Sequence, residues 1–393
     1  MRTLLLTADF PPRPGGMARY HLDLARGLGE GCQVLAPHWH GGAPHDAAPA
    51  DVLELPFDAR EAHRPWNRLR SRRALGAASS SDLVLVGSPR PFGSLARLVG
   101  RTGGACRPAL ATIHHGGDLL QAAARWREHP LKRRRWAELV GLPDLHIVAS
   151  RYTRRLARRL GFPEERVAVV CPEVDTEHFA PPVSAEQRRR WRHELGWGAD
   201  PIVSLFVGRL IERKGIGDLL EGLASQPENV RLVLAGPGDL THWQRRAELA
   251  GVAQRVEFLG DVDHSALPRL YGAADLLVGP SRDSEAQCDP ENFGIVFLEA
   301  AACGLPVLAT RTGGVPEAVD ADRNGLLVEP SDVGALAAAW RRLAGDVSLR
   351  RRLGEAGPRG PAARYATGTS ARSLRTALRD RNLVFASARR ADD

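Results

Sequence analysis

The sequence predicts an α/β protein built from two doubly wound parallel sheets. Short apolar runs alternate with segments of helical spacing along most of the chain, which is typical of successive βαβ units. The alternation restarts near residue 200, and 393 residues suit two domains of roughly 180 residues each better than one core. Two separate hydrophobic cores are therefore expected.

Each half of the chain supplies its own set of strand candidates. In the first half they are Thr3–Thr7, Cys32–Ala36, Asp82–Val86, Ala109–Ile113, His146–Ala149 and Val167–Val170. In the second half they are Ile202–Val207, Val230–Leu234, Val256–Leu259, Leu276–Gly279, Pro306–Ala309 and Gly325–Val328. A polar segment with a Pro pair places the hinge near residues 178–200. We expect an N-terminal domain at 1–180, a C-terminal domain at 181–360 and a helical Arg-rich tail at 361–393, which can pack back on the N-terminal domain.

Composition excludes several classes of protein. No run approaches the roughly 20 apolar residues of a membrane span. The apolar N-terminus is interrupted by Asp9 and has no small-residue cleavage site, so it is predicted to be a buried strand and not a secretory signal. The five cysteines are scattered and form no CxxC pair, which argues against a disulfide framework and a zinc site. A cytoplasmic location follows, compatible with a peripheral position on the inner face of the membrane.

The positive charge is carried almost entirely by arginine. The net charge is +8, and Lys132 and Lys214 are the only lysines among 54 basic residues. A lysine that persists in such a chain suggests that its site requires a compact ammonium. Basic charge favours a polyanionic partner such as a nucleotide, an anionic lipid or a nucleic acid. Because no basic motif interleaved with aromatic residues and no zinc-finger spacing is present, a nucleic acid is not expected.

In the first half, two motifs follow strand candidates. Gly15 and Gly16 precede a predicted helix, where backbone N–H groups can approach a phosphate; a simple tight turn is the alternative. His114, His115 and Asp118 follow the fourth strand, and the spacing favours His115 as a ligand contact over a purely structural histidine. Since ligands of open parallel sheets bind beyond the carboxyl ends of the strands, two facing sheets would define one cleft.

In the second half, Arg209 and Lys214 leave the ligand-binding edge of the sheet together. They lie in VGRLIERKG, between the strand candidate Ile202–Val207 and a predicted helix. A guanidinium fork and a compact ammonium suit a diphosphate. The alternative is a solvated basic loop.

Two glutamates, Glu291 and Glu299, flank the start of another predicted helix. The N–H groups at its N-terminus can bind a phosphate, and they belong to Phe293, Gly294, Ile295 and Val296. Glu299 can accept hydrogen bonds from both hydroxyls of a ribose, and Glu291 projects toward the sugar end of the same ligand. The alternative for Glu299 is an acidic residue favoured near the helix N-terminus by the helix dipole.

No metal site is predicted. Two Asp-x-Asp triplets, Asp261–Asp263 and Asp320–Asp322, have the spacing of a metal-binding motif, but turns explain them better. Arg209 and Lys214 can balance the charge of a departing diphosphate without a metal ion.

Taken together, these segments resemble the family-4 retaining glycosyltransferases. The matching segments are PPRPGGMARY, HHGGD, VVCPEVDTEHF, GRLIERKG and ENFGIVFLEAAACGLPV. The resemblance implies the GT-B fold, with two Rossmann-like domains facing across a cleft, and it implies backbone contacts to the base from Val262 in the loop after FLG. Within the family, the phosphatidylinositol mannosyltransferases that use GDP-mannose are most similar. Two departures concern the acceptor side: CPEVDTEHF stands where Asn-Gly usually precedes Val-Asp, and Asn292 replaces a glycine after Glu291.

The function implied is metal-independent transfer of a hexose, with retention, to a lipid-linked or glycan acceptor. The donor is a nucleotide sugar, expected to be GDP-mannose, and no further cofactor is expected. Arg209 and Lys214 would hold the diphosphate, and Glu291 and His115 would orient the sugar. A UDP-sugar-dependent enzyme with a soluble acceptor and a sugar-nucleotide epimerase are the alternatives; a phosphorylase would require a lysine for pyridoxal phosphate, for which neither lysine is an obvious candidate.

Two segments suggest contact with an anionic membrane. Residues 64–73 and 125–136 each combine clustered basic residues with tryptophan, at Trp66, Trp126 and Trp136. Basic side chains are attracted to anionic lipid, and tryptophan prefers the headgroup region. The alternatives are a solvated charged face and core tryptophans.

Overall fold

The computed structural model describes residues 1–13, 15–38, 51–58, 77–78, 80–87, 96–97, 99, 107–283 and 289–383. The chain forms two compact units. Unit 1 comprises Met1–Glu173 and the chain from Thr367 onward, and unit 2 comprises Val174–Ala366. Residues 178–200, predicted to form the hinge, thus lie inside unit 2.

Unit 1 contains a seven-stranded parallel sheet with the strand order β3-β2-β1-β4-β5-β6-β7. Its strands are β1 (Thr3–Leu6), β2 (Cys32–His38), β3 (Asp51–Asp58), β4 (Leu83–Val86), β5 (Ala109–His114), β6 (Leu145–Val148) and β7 (Val167–Val169). Its first helices are α1 (Gly16–Leu28), α2 (Gly117–Ala122), α3 (Arg133–Gly141) and α4 (Arg151–Arg159). All side chains of β1 and β4 are buried, so the core lies on both faces of the central strands.

Unit 2 contains a six-stranded parallel sheet with the strand order β10-β9-β8-β11-β12-β13. Its strands are β8 (Ile202–Val207), β9 (Val230–Ala235), β10 (Val256–Gly260), β11 (Leu276–Gly279), β12 (Val307–Thr310) and β13 (Gly325–Val328). Its helices are α5 (Ala185–Glu194), α6 (Ile216–Ala224), α7 (Leu240–Leu249), α8 (Leu267–Ala273), α9 (Ile295–Ala302), α10 (Val315–Ala318), α11 (Val333–Gly345), α12 (Val347–Ala356) and α13 (Pro361–Arg364). Trp243 and Trp340 fill its core, and their indole N–H groups donate to Leu210 O and Ser204 Oγ.

The strand predictions agree with the structure, with ends shifted by at most two residues. Among the described residues, one strand was missed. The segment of β3 includes Pro56 and is interrupted by acidic residues, so it lacks the continuous apolar run of a buried parallel strand. Because β3 is an edge strand, a proline that cannot donate to a neighbouring strand is tolerated there.

The chain returns to unit 1 through α14 (Thr369–Arg379), the last helix of the described residues, which packs against α1. The buried carboxylate of Glu173 accepts hydrogen bonds from the backbone N–H groups of Gly368 (3.0 Å) and Ser370 (2.9 Å) at the start of this helix. A carboxylate at a helix N-terminus satisfies N–H groups that have no partner within the helix. Glu173, one of the residues in the unusual CPEVDTEHF segment, therefore has a structural role.

Within the described ranges, no helix is long and apolar enough to cross a membrane.

Candidate functional site

The strand order of unit 2 reverses direction between β8 and β11, which are neighbours in its sheet. Loops that follow two such strands diverge and leave a crevice, the usual ligand site of open parallel sheets. The loop after β8 carries Arg209 and Lys214. The loop after β11 carries Ser281 and continues to Glu291, just before α9.

Three donors converge on one oxygen of Glu291. The ammonium of Lys214 donates to Oε2, the hydroxyl of Ser281 donates at 3.0 Å, and the guanidinium of Arg213 donates through Nη1 at 3.3 Å. Glu291 is only 8% exposed. Its other oxygen, Oε1, has no hydrogen-bond partner in the part of the chain that the structure describes. The carboxylate is thus fixed through one oxygen, and the second can accept a hydrogen bond from a ligand.

The surrounding charges keep Glu291 ionised. Burial alone would raise the pKa of this carboxyl, but the charges of Lys214 and Arg213 and the hydrogen bonds from Lys214 and Ser281 lower the pKa to about 2. Glu291 is therefore an acceptor of hydrogen bonds at neutral pH and cannot act as an acid.

Glycines hold the loops of this site close together. Gly215, which follows Lys214, has a φ of 73°, and a Cβ there would lie 2.1 Å from the Pro280 carbonyl oxygen. Gly313, in the loop after β12, has a φ of 53°, and a Cβ there would lie 1.8 Å from the Glu291 carbonyl oxygen. At both positions only glycine combines the backbone conformation with the close approach. The backbone that carries Lys214 and Glu291 is therefore packed against neighbouring strand ends.

Glu299 lies in the second turn of α9 and is buried. The hydroxyl of Tyr271, a fully buried residue of α8, donates to its Oε2 at 2.7 Å. At the start of α9, Gly294 takes a left-handed conformation, and Ile295 and Val296 are half-buried in the first turn. The first N–H groups of any α-helix have no partner within the helix, so those of α9 can bind an anion. Phe293 contributes only its backbone, because its ring packs edge-on against Tyr365 at 5.1 Å.

Two predicted ligand contacts of unit 2 lie at strand ends near solvent. Arg209 follows β8, is exposed, and makes no side-chain hydrogen bond or ion pair with any described residue. Its guanidinium is thus available to a ligand. Val262 is half-buried in the loop that follows β10, where a backbone contact to a base was predicted. No contact in the structure tests either assignment.

In unit 1, Gly15 and Gly16 begin α1, and His115 follows β5. Gly15 is exposed and has a φ of 122°, and a Cβ there would meet no other atom within 4 Å. The backbone N–H of His115 donates to Asp118 Oδ1 at 2.8 Å. Its ring packs edge-on against Tyr20 and His21, with centroids 5.6 and 5.4 Å away. Burial lowers the pKa of His115, so its imidazole is neutral at pH 7.

The neighbouring His114 is part of a buried hydrogen-bonded chain. Its Nδ1 lies 3.0 Å from Asp118 Oδ2, and its Nε2 lies 2.9 Å from the hydroxyl of Thr112. Thr112 also contacts His146 Nδ1 at 3.0 Å, and His146 Nε2 donates to the Val140 carbonyl at 3.0 Å. His114 therefore orients Asp118, which in turn holds the backbone of His115. That His115 contacts a ligand and is not purely structural stays a prediction.

The structure brings Lys214 and Glu291 together, a contact that the sequence did not predict. Sequence reasoning also missed Arg213, Ser281 and Tyr271, which hold the two glutamates. Ser281 had a recognisable signal, since it lies two residues after the end of β11. Arg213 and Tyr271 had none, because an arginine beside a lysine and an apolar-facing tyrosine are common in any fold.

Both Asp-x-Asp triplets lie in loops and turns. Asp261–Asp263 follow β10. Asp320 is paired with Arg364 at 2.9 Å, and Asp322 has a φ of 62° in the turn before β13.

The basic segment at residues 125–136 has one tryptophan that packs on the core. Trp136, predicted to lie at a membrane surface, is half-buried, packs edge-on against Phe162 at 5.6 Å and lies against the hydrophobic cluster beneath α3. This contact favours the alternative of a core tryptophan, and the membrane surface stays a prediction. Trp126 is half-buried. The other predicted segment, residues 64–73 with Trp66, lies outside the described residues.

Comparison with known proteins places this geometry in a family. The profile named Glycosyltransferase Family 4 matches residues 14–178, and the profile named Glycosyl transferases group 1 matches residues 187–360. A GDP-mannose-dependent alpha-(1-6)-phosphatidylinositol monomannoside mannosyltransferase of Mycolicibacterium smegmatis is 33% identical over 374 residues, covering 90% of this chain and 92% of the relative. The chain belongs to the family-4 glycosyltransferases.

A second relative and a solved structure are similar to this glycosyltransferase over nearly its whole length. The Mycobacterium tuberculosis (strain CDC 1551 / Oshkosh) protein of the same name is 33% identical over 391 residues, covering 96% of this chain and 98% of the relative. Among solved structures, Anabaena HepE in complex with UDP and glucose superposes with a TM-score of 0.77 at 22% identity, covering 97% of this chain and 100% of that one. The fold of this glycosyltransferase is therefore GT-B, with two Rossmann-like doubly wound units.

Proposed function

We propose that this glycosyltransferase transfers a mannosyl group from GDP-mannose, with retention and without a metal ion, to a lipid-linked or glycan acceptor. The observation that carries the proposal is the Glu291 carboxylate, fixed through Oε2 beside Lys214 with Oε1 unpartnered among the described residues. The two mannosyltransferase relatives, each of which covers at least 90% of the chain, support the choice of donor.

Lys214 and Arg209 are proposed to hold the donor diphosphate. An ammonium has three N–H donors, so Lys214 can keep its bond to Glu291 and still donate to a phosphate oxygen. Arg209 adds an exposed guanidinium, and the N–H groups of Ile295 and Val296 add the positive end of a helix. These groups would stabilise the charge that develops on the phosphate as the sugar leaves, which is the role that a metal ion has in other enzymes.

Glu291 is proposed to bind the sugar, and Glu299 the ribose. The Oε1 atom of Glu291 can accept a hydrogen bond from a sugar hydroxyl. A carboxylate offers about four acceptor positions, so Glu299 can accept from ribose hydroxyls while Tyr271 donates to it. The neutral imidazole of His115 can donate one hydrogen bond and accept another, which fits its predicted role in orienting the sugar hydroxyls.

Retention requires the acceptor hydroxyl to arrive on the face from which the phosphate departs. The charges of Lys214 and Arg213 lower the pKa of Glu291 to about 2, which makes this carboxylate a weak nucleophile and better suited to bind hydroxyls than to attack the sugar. We propose that the departing phosphate oxygen takes the proton from the acceptor hydroxyl as the new glycosidic bond forms. The leaving group then serves as the base, and no enzyme nucleophile is needed.

An anionic membrane is the proposed location of the acceptor. Around the start of α3, Arg125, Arg127 and the run Arg133–Arg135 are exposed, and Leu131 is 89% exposed between them. Cationic residues near an anionic surface gain on the order of 1 kcal/mol each, and an exposed leucine can enter the headgroup region. The relatives named for phosphatidylinositol monomannoside support a lipid acceptor of this charge.

A donor screen tests the proposed donor. Thermal unfolding is measured with GDP-, UDP- and ADP-sugars at equal concentrations, since a ligand at 100 times its Kd adds about 2.7 kcal/mol of stability. We expect GDP-mannose to give the largest increase in Tm, unchanged by EDTA. A larger shift with a UDP-sugar would support the UDP-dependent alternative, and turnover of the nucleotide sugar without any acceptor would support the epimerase alternative.

Liposome co-sedimentation tests the proposed membrane surface. Binding to vesicles with anionic lipid, but not to neutral vesicles, is expected at low salt. Replacing Arg133, Arg134 and Arg135 by Ser should abolish it, and Leu131→Asp should weaken it. The matched control replaces Arg341, Arg342 and Arg352 of unit 2 by Ser, which removes the same charge elsewhere. Equal loss in both triple variants, or no binding at all, would favour a soluble acceptor.

A further inference from the structure

Tyr271 connects two parts of the proposed donor site. It lies on α8, is completely buried, and donates its hydroxyl hydrogen to Oε2 of Glu299 on α9 at 2.7 Å. Glu299 is the residue proposed above to bind the ribose.

We infer that Tyr271 is a positioning residue that fixes the Glu299 carboxylate for the ribose hydroxyls of the donor nucleotide. The inference rests on the proposed function of Glu299. Tyr271 itself touches no ligand in this account. It acts through one hydrogen bond, which sets the orientation of the carboxylate on α9.

The hydroxyl of Tyr271 can only act as the donor in this contact. Burial raises the pKa of Tyr271 well above its usual value, and the adjacent charge of Glu299 raises it further. The phenol is therefore protonated at neutral pH. Because its single hydrogen points to Oε2, the remaining acceptor positions of Glu299 keep a fixed direction.

The ring of Tyr271 is itself held by neighbours. Phe179 packs edge-on against it with centroids 5.9 Å apart, and His264 packs edge-on against Phe179 at 5.2 Å. His264 begins the short helical turn His264–Ala266, which follows Val262 and leads directly into α8. The loop predicted to contact the base and the residue that orients the ribose carboxylate thus belong to one continuous segment. When a base binds this loop, the Glu299 carboxylate would therefore already be oriented toward the ribose.

A purely structural role makes a different prediction. If Tyr271 only supplies a hydrogen bond to a buried carboxylate, removing its hydroxyl should weaken the binding of every ligand of unit 2 to the same extent. If Tyr271 positions Glu299 for the ribose, removing its hydroxyl should weaken the binding only of nucleotides that carry the ribose hydroxyls bound by Glu299. Comparing GDP with 2′,3′-dideoxy-GDP separates the two cases.

The test is calorimetric titration of wild type, Tyr271→Phe and Glu299→Gln with both nucleotides. Wild type should bind GDP more tightly than the dideoxy analogue. In Tyr271→Phe we expect the Kd for GDP to rise about tenfold, corresponding to about 1.4 kcal/mol, and the Kd for the dideoxy analogue to stay within about twofold. Glu299→Gln should show the same pattern with a larger effect on GDP.

Tyr20→Phe is the matched control. It also removes a buried hydroxyl, which donates to the Val170 carbonyl at 3.0 Å, but it lies in unit 1. Both nucleotides should bind this variant like wild type. Circular dichroism and Tm without ligand show whether each variant folds, and the ratio of the two Kd values does not depend on the folded fraction.

Two outcomes would overturn the inference. In the first outcome, Tyr271→Phe weakens the binding of GDP and of the dideoxy analogue equally, and only Glu299→Gln loses the preference for GDP. Tyr271 would then have a structural role, and the proposed function of Glu299 would stand. Equal binding of both nucleotides by wild type, or no loss of discrimination in Glu299→Gln, would reject the ribose assignment of Glu299 and the role of Tyr271 with it.

Discussion

Glu291→Gln removes one negative charge from the proposed donor site and keeps the shape of the side chain. The pKa of Glu291 falls from 4.5 to about 2, and each tenfold change in proton affinity corresponds to about 1.4 kcal/mol. The ionised carboxylate therefore contributes on the order of 3 kcal/mol at neutral pH. Because the amide still accepts from Ser281 and Lys214, we expect Glu291→Gln to lose about 1–3 kcal/mol of stability at pH 7.

The sign of the pH dependence follows from the lowered pKa. A group whose pKa is lower in the folded state contributes its full stabilisation of the fold when the pH is above its pKa in the unfolded state, here 4.5. This stabilisation is lost as the pH falls toward the folded-state pKa of about 2. Denaturant unfolding at pH 7 should therefore separate wild type from Glu291→Gln. At pH 3 the difference should be smaller. A difference that is constant between pH 7 and pH 3 would contradict the charge pairing with Lys214 and Arg213.

Ligand binding provides an independent measurement on the same variant. Bare GDP should bind Glu291→Gln as tightly as wild type, or more tightly, because a neutral amide competes with the diphosphate for Lys214 less strongly than a carboxylate does. Turnover of GDP-mannose should fall about 10- to 100-fold in kcat/KM, the effect of losing one hydrogen bond of about 1.5–3 kcal/mol to a charged acceptor. Weaker binding of bare GDP with unchanged turnover would place Glu291 at the nucleotide and refute its assignment to the sugar.

Three further variants test other parts of the structure. Lys214→Arg should lower kcat/KM at least about tenfold, which corresponds to about 1.4 kcal/mol, because a planar guanidinium cannot replace a compact ammonium between Glu291 and a phosphate. Unchanged steady-state kinetics would mean that Lys214 is not part of the site. Gly313→Ala should strongly reduce GDP-mannose turnover because its Cβ would lie 1.8 Å from the Glu291 carbonyl, whereas Gly345→Ala, with open space at its Cβ, should be silent in the same assay. Glu173→Ala should lower the free energy of unfolding by about 1–3 kcal/mol, because it removes two hydrogen bonds at the start of α14. Urea denaturation measures this loss, and Glu165→Ala, at an exposed position, is the control.

The fold could be predicted to a large extent because buried parallel strands are continuous apolar runs in the sequence. Thr3–Leu6 and Leu276–Gly279 are entirely buried and have this pattern. The strand β3 could not be found in this way, since acidic residues and Pro56 interrupt it and its place at the sheet edge demands less burial. The return of α14 to unit 1 depends on Glu173, a contact over 195 residues that no local pattern reveals.

The sequence predicted candidate site residues one by one but not their arrangement. Arg209, Lys214 and Glu291 each follow a strand or precede a helix, where ligand contacts are expected. The pairing of Lys214 with Glu291 joins residues 77 apart in the chain, and it arises because β8 and β11 are neighbours in the sheet. Tyr271 and Ser281 donate hydrogen bonds to Glu299 and Glu291, and only Ser281, two residues after β11, had a position that could have indicated this.

The most direct test of the central claim is the stereochemistry of the transfer. The enzyme is incubated with GDP-mannose and phosphatidylinositol monomannoside in anionic vesicles, GDP release is followed, and the anomeric configuration of the new linkage is determined by NMR. We predict stoichiometric GDP release, without added metal and in the presence of EDTA, and a mannosyl linkage with the same configuration as in the donor. An inverted linkage, or transfer from a UDP-sugar but not from GDP-mannose under the same conditions, would contradict the account.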